Sequence, residues 1–175
     1  MRLRPSLDSE SDAARRSDES PTPRRRRIVE GAKGGLVATL VLTAYRLPVS
    51  HALPPTAQFW SKFVSGGDPR DHTVPALVLH LLYGLGAGAL FGAVFPERET
   101  THRETAGRRT ARNEVVGLLS AAVYGLALSI FGEKIVLNRV LGMDLDADEG
   151  LVFHVGHLVY GLALGTWLGS RTSDD

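Results

Sequence analysis

Two histidines carry the strongest chemical signal in the chain, because each heads an almost identical run: His80-Leu-Leu-Tyr83-Gly84-Leu85 and His157-Leu-Val-Tyr160-Gly161-Leu162. An imidazole in apolar surroundings can ligate a metal or haem iron, relay a proton, or hydrogen-bond to a neighbour. His154 stands one helical turn before His157, and Glu133 and Arg46 lie at the ends of other apolar runs. Two arrangements for ligation follow. His80 and His157 would serve as the axial pair of a b-type haem, or, joined by His154 and Glu133, would hold a metal ion.

Other chemistries are closed. The chain has no cysteine, which removes disulfides, thiol nucleophiles and Cys-zinc sites. Its formal net charge of +1 gives no reason to expect nucleic acid as a partner. Gly84-Leu85-Gly86-Ala87-Gly88 echoes a dinucleotide loop, but a phosphate cradle needs a preceding strand and free amides at a helix start. These glycines lie inside an apolar run. No residue set reads as catalytic, no cofactor is required, and the chain is not expected to be an enzyme.

The elements that must position the histidines are set by how charge is distributed. Hydrophobic residues make up 43% of the sequence, an ordinary value, yet charge is concentrated in residues 1–27, 97–114 and 133–149. The uncharged stretches between are long enough to cross a bilayer. We expect an all-α, polytopic bundle of four transmembrane helices, over about 28–47, 73–95, 115–132 and 150–170, built from two parallel two-helix repeats. Residues 1–27, rich in Arg, Asp, Glu, Ser and Pro, are expected to form a disordered tail, and 171–175 a short end.

Orientation follows from the arginines. Arg24 to Arg27 precede the first span, and Arg98, Arg103, Arg108, Arg109 and Arg112 fill the connection between the second and third. Basic segments stay in the cytoplasm. Both termini are therefore expected inside, in the cell membrane, with the lipid bilayer as partner and a homo-oligomer as a further possibility. The acidic connection through Asp144, Asp146, Asp148 and Glu149 belongs outside, as do Phe59, Trp60 and Phe63, in a segment bracketed by Pro54-Pro55 and Gly66-Gly67 that reads as an interfacial helix or a surface loop.

Every span carries small residues four apart: Gly31, Gly35, Thr39 and Thr43; Gly84, Gly88 and Gly92; Gly117, Ala121, Gly125 and Ser129; Gly161, Gly165 and Gly169. Lipid is as apolar as leucine, so membrane helices associate by close backbone approach at such columns. Each span also holds one of the four tyrosines. Tyr83, Tyr124 and Tyr160 each precede Gly-Leu, and their hydroxyls need partners inside the membrane.

His80 and His157 each follow the start of their span by seven residues, which sets them at one depth, about 10 Å below the outer boundary. With Arg46, Tyr83, Glu133, His154 and Tyr160 they are expected to form an outward-facing polar cluster. Three functions compete: a non-catalytic membrane protein whose His and Tyr side chains bond between helices, a small solute or ion transporter or channel, and a protein binding haem or metal through two histidines.

The run Gly35-Leu-Val-Ala-Thr39-Leu-Val-Leu-Thr43, the Leu53-Pro54-Pro55 with Phe59-Trp60, and the two His-Leu-x-Tyr-Gly-Leu copies resemble small integral membrane proteins of halophilic archaea. A remoter similarity is to the YagU-like inner-membrane proteins, through a glycine-rich first helix followed by Pro-Pro. The resemblance covers about 28–170 and implies location and topology. It carries over no agreed activity and no catalytic residue.

Overall fold

The computed structural model describes residues 23–48, 55–95 and 106–172, and among them every regular element is helical. Helix α1 spans Pro23–Arg46, with proline in its first turn and arginine in its last, each at the end that suits it. Helix α2 spans Pro55–Trp60 and runs on as a π-helical turn, Ser61–Ser65. Gly66 and Gly67, with φ of 70° and 81°, reverse the chain. The side chain of Asp68 then accepts from the Arg70 amide at 2.9 Å to open the 3-10 turn Pro69–His72, which leads into α3, Thr73–Val94.

Helix α4 spans Ala106–Phe131 and continues as a π-helix, Gly132–Leu141, which Gly142 ends in the left-handed conformation. Asp146 accepts from the Glu149 amide at 2.8 Å and starts α5, Ala147–Thr172. Two of the spans differ in extent from the sequence expectation. Arg24–Arg27 are helical rather than tail, and residues 1–22 lie outside the described set. The third helix begins at Ala106, which places Arg108, Arg109 and Arg112 on it, and it passes Gly132 to reach Leu141. Arg98 and Arg103 lie outside the described residues.

Four helices are long and apolar enough to cross a membrane, over Arg24–Arg46, Pro69–Val94, Glu114–Leu141 and Ala147–Ser170. Their outer faces display Leu40, Leu82, Leu90, Leu119, Val123 and Ile130, all more than half exposed, a surface that water would not tolerate and lipid matches. The chain is a membrane protein.

Glycine decides how the helices pair. A Cβ on Gly35 would lie 2.8 Å from the Gly88 Cα, and one on Gly31 would lie 3.1 Å from the Gly92 Cα, so α1 and α3 touch backbone to backbone and run antiparallel. The second pair copies the device: a Cβ on Gly125 would lie 3.1 Å from the Gly161 Cα, and one on Gly165 would lie 2.9 Å from the Leu118 Cα. Between the pairs, α1 packs on α5, with Gly34 against Leu164 and Trp167 and Gly156 beside Leu42. Ala38, Leu42, Phe91, Ala121, Tyr160 and Leu164 fill the centre. Helices α3 and α5 consequently point the same way. The arrangement is α3–α1–α5–α4; the backbones of α3 and α4 stay apart, and Tyr124 spans the gap to Phe91 and Phe95.

Candidate functional site

The end of the bundle where α1 finishes and α3 and α5 begin encloses a half-open cavity of about 280 Å³ to which all five helices contribute. Its walls are almost wholly apolar, with Leu42, Leu79, Leu137 and Phe153 around the sides and Pro55 and Phe59 of α2 as a roof. The roof is held by side chains. Thr56 donates to the Ala76 carbonyl at 2.8 Å, and Lys62 Nζ donates to the carbonyls of Val140 and Leu141 at 2.9 and 3.1 Å. The ammonium thus satisfies the bare end of the π-helix, where negative dipole accumulates.

Besides Thr56 of the roof, four polar side chains line this cavity: Arg46, His80, Tyr83 and His157. The Nδ1 atom of His157 lies 2.9 Å from the Phe153 carbonyl oxygen. A carbonyl can only accept, so Nδ1 carries the proton, and Nε2 of the neutral ring keeps a free lone pair. Among the described residues, no hydrogen bond engages either ring nitrogen of His80, the Tyr83 hydroxyl or the Arg46 guanidinium. The two histidines and Arg46 are within electrostatic reach of one another, and Glu149 is the carboxylate that acts on Arg46, although no ion pair joins them. Beneath the cavity, a void of about 10 Å³ between His80, His157, Tyr160 and Thr39 has room for about one water molecule.

The remaining members of the expected cluster go elsewhere. Glu133 Oε2 lies 3.1 Å from His154 Nε2, and His154 Nδ1 lies 2.8 Å from Ser129 Oγ. Lys134 holds the other Glu133 oxygen at 2.7 Å. Ser129 Oγ also sits 2.9 Å from the Leu126 carbonyl, so its single proton has two acceptors in reach. Given to Leu126, it obliges His154 to donate through Nδ1. Given to His154, it frees Nε2 to donate to Glu133. The two states differ in where His154 holds its proton; the second satisfies every group but the Leu126 carbonyl's extra donor, whereas in the first Nε2 of a neutral ring would set a lone pair against the Glu133 carboxylate. The Ser-His-Glu adjacency is not a hydrolase site, because Ser129 is fully buried and does not line the cavity.

Tyr160 stays beside His80, Tyr83 and His157 at the small void, but its hydroxyl is spent on packing. Its hydroxyl donates to the Gly84 carbonyl at 2.7 Å, and that of Tyr124 donates to the Ala87 carbonyl at 2.8 Å. Both reach across to α3 and bridge the gap that α3 and α4 leave. Tyr83 occupies the equivalent place in the first copy of the repeated run, yet it is 39% exposed where Tyr160 is 4% exposed, since no helix covers it. Like sequence has met unlike neighbours.

The glycine expectations divide too. Gly84, Gly88, Gly92, Gly125, Gly161 and Gly165 all sit where a Cβ would strike a neighbouring helix. Gly117 does not, for nothing lies within 4 Å of its Cβ position, and Gly169 meets only the Glu114 side chain at ordinary contact distance. A step of four residues overshoots a 3.6-residue turn by about 40°, so the column leaves the interface toward the helix end. Among the described residues no three histidine or carboxylate side chains converge as a metal site requires, and the expected grouping of His80 and His157 with His154 and Glu133 separates into a pair and a chain. The roof and the Ser129 partnership were missed. Ser129 and Glu133, four apart on one helix face, held a signal for the second. Compared with known proteins, the chain matches no family model, no curated protein and no solved structure.

Proposed function

We propose that this is a four-span, non-catalytic protein of the cell membrane, with both termini in the cytoplasm, that binds a small ligand in the cavity between His80, His157 and Arg46. The orientation rests on Arg24–Arg27 at one end of the bundle and Asp144, Asp146, Asp148 and Glu149 at the other. The binding role rests on one observation: Arg46, His80 and Tyr83 line an apolar cavity without a hydrogen bond to any described residue, and His157 beside them uses only Nδ1. Groups so placed, at membrane depth, are costly unless something meets them.

Passage of a solute is the weaker reading. Beyond the cavity the bundle is filled by Phe91, Tyr160 and Leu164, and Tyr124 packs tilted against Phe91 with ring centroids 5.1 Å apart, which leaves a closed-ended site. A haem between the two histidines is supported by their free nitrogens. The cavity volume opposes it, being below the roughly 300–1,000 Å³ of sites that enclose drug-sized ligands.

The test is thermal stability of the purified protein against a panel of small apolar and amphiphilic compounds. A binder should raise the melting temperature of the wild type and not of Leu79→Trp, which fills the cavity. A panel with no such member overturns the reading, and a Soret band in the purified protein would replace it with the haem alternative.

A further inference from the structure

The arrangement of openings and charges in the cavity says more about what it holds. Three sides are closed. α1 and α5 pack through Gly156 and Leu42, α2 roofs the space, and the tyrosines floor it. The remaining side is the seam between α3 and α4, whose backbones stay apart and are joined by Tyr124 on Ala87 and Phe91, deeper than the cavity, and where the partly exposed Tyr83 lines the wall. On a membrane-spanning bundle, an opening between two helices faces acyl chains rather than water.

A compound entering by that seam must first partition into the bilayer, so it carries an apolar chain. The apolar walls of the cavity suit the chain. At the polar side stands the Arg46 guanidinium, a permanent cation that forms no ion pair with a described carboxylate, beside an imidazole with a free Nε2 and another with both nitrogens free. Guanidinium presents a donor fork shaped for carboxylate or phosphate oxygens. Glu149 acts on Arg46 only from a distance, so a neutral head would leave the guanidinium without a direct anionic partner in low dielectric. Glu133, a further carboxylate at this end, is already engaged by Lys134 and His154.

Resting on the binding role above, we infer that the ligand is a single-chain anionic amphiphile that enters sideways from the bilayer between α3 and α4. Its chain lies against Leu79, Leu137 and Phe153, and its carboxylate or phosphate head meets Arg46 with His80 and Tyr83 as further donors.

Equilibrium binding to the full chain in nanodiscs of zwitterionic lipid tests this with four probes: oleate, dodecyl phosphate, oleyl alcohol and inorganic phosphate. The anionic chains should bind the wild type at least about tenfold more tightly than the alcohol. Arg46→Gln should abolish that preference by weakening the anionic chains far more than the alcohol, and Arg46→Lys should restore most of it. Whichever of oleate and dodecyl phosphate binds more tightly names the head. If the alcohol binds as well as oleate, or Arg46→Gln leaves oleate binding intact, the anionic assignment is overturned and the cavity remains a binding site for neutral chains. Inorganic phosphate binding as tightly as dodecyl phosphate overturns entry from the bilayer. If no probe shows binding that Leu79→Trp removes, both this inference and the amphiphile class fall, whereas the compound panel still judges the cavity.

Discussion

The Tyr160 hydroxyl donates to the Gly84 carbonyl at 2.7 Å, joining the tyrosine of the second His-x-x-Tyr-Gly run to the glycine of the first. The Gly84 oxygen belongs to a helix and already has a backbone donor within reach, so the bond adds to a satisfied group. Tyr160→Phe should therefore be mild, costing about 0.5–1.5 kcal/mol, because hydrogen bonds between membrane helices contribute little net. Tyr124→Phe should match it. Reversible unfolding in mixed micelles measures both, and a loss well above that range would mean that Tyr160 supports more than packing.

Gly88→Ala should be far more damaging. Its Cβ would lie 2.6 Å from the Gly35 Cα, and neither backbone can yield without parting α1 from α3. Gly117→Ala is the internal control: with nothing within 4 Å, it should stabilise by up to about 1 kcal/mol through helix propensity. Melting temperatures of the two variants should move in opposite directions.

Ser129, His154 and Glu133 should behave as one unit. Ser129→Ala and Glu133→Gln each remove one of the two partners that fix the His154 ring. The double variant should lose less melting temperature than the single losses added together, since the second substitution acts on a chain already broken. Strict additivity would show that the two contacts are independent.

Lys62→Met removes the donor that ties the α2 segment to the end of the π-helix. The expected cost is about 0.3–1 kcal/mol, with the effect confined to the roof. Hydrogen exchange should quicken across 55–65 and 137–142 and stay unchanged at the Gly35 to Gly88 interface. Faster exchange throughout the bundle would show that the roof is integral to the fold.

The spans and most of the packing glycines were legible because each depends on one physical requirement: length of uncharged chain, or absence of a side chain where backbones meet. The continuation of α4 through Leu141 was not, because Glu133, Lys134 and Arg139 read as solvent-facing charge, while in the structure Glu133 is met by both Lys134 and His154. Gly117 failed for a geometric reason, since a period of four does not keep one face. Tyr83 and Tyr160 could not be told apart in advance. Their local sequences agree, and what separates them is which helix lies opposite, a fact held by the rest of the chain. That His80 and His157 head parallel helices followed from counting, but that His80 has no hydrogen-bond partner among the described residues and His157 uses only Nδ1 came only from the whole arrangement.

The glycine contact between α1 and α3 has a property that follows from its repetition. Gly84, Gly88 and Gly92 are four residues apart, as are Gly31 and Gly35, so sliding α3 by about 6 Å along α1 sets glycine against glycine again. The interface by itself is degenerate in register, like a rack with equal teeth, and one-turn ratchets of this kind are a known mode of conformational change. Tyr124 and Tyr160 break the degeneracy: anchored on α4 and α5, they grip the carbonyls of Ala87 and Gly84 and work as two pins through adjacent turns of the rack. Hydrogen bonds of little worth to stability thereby select one alignment out of several nearly equal ones.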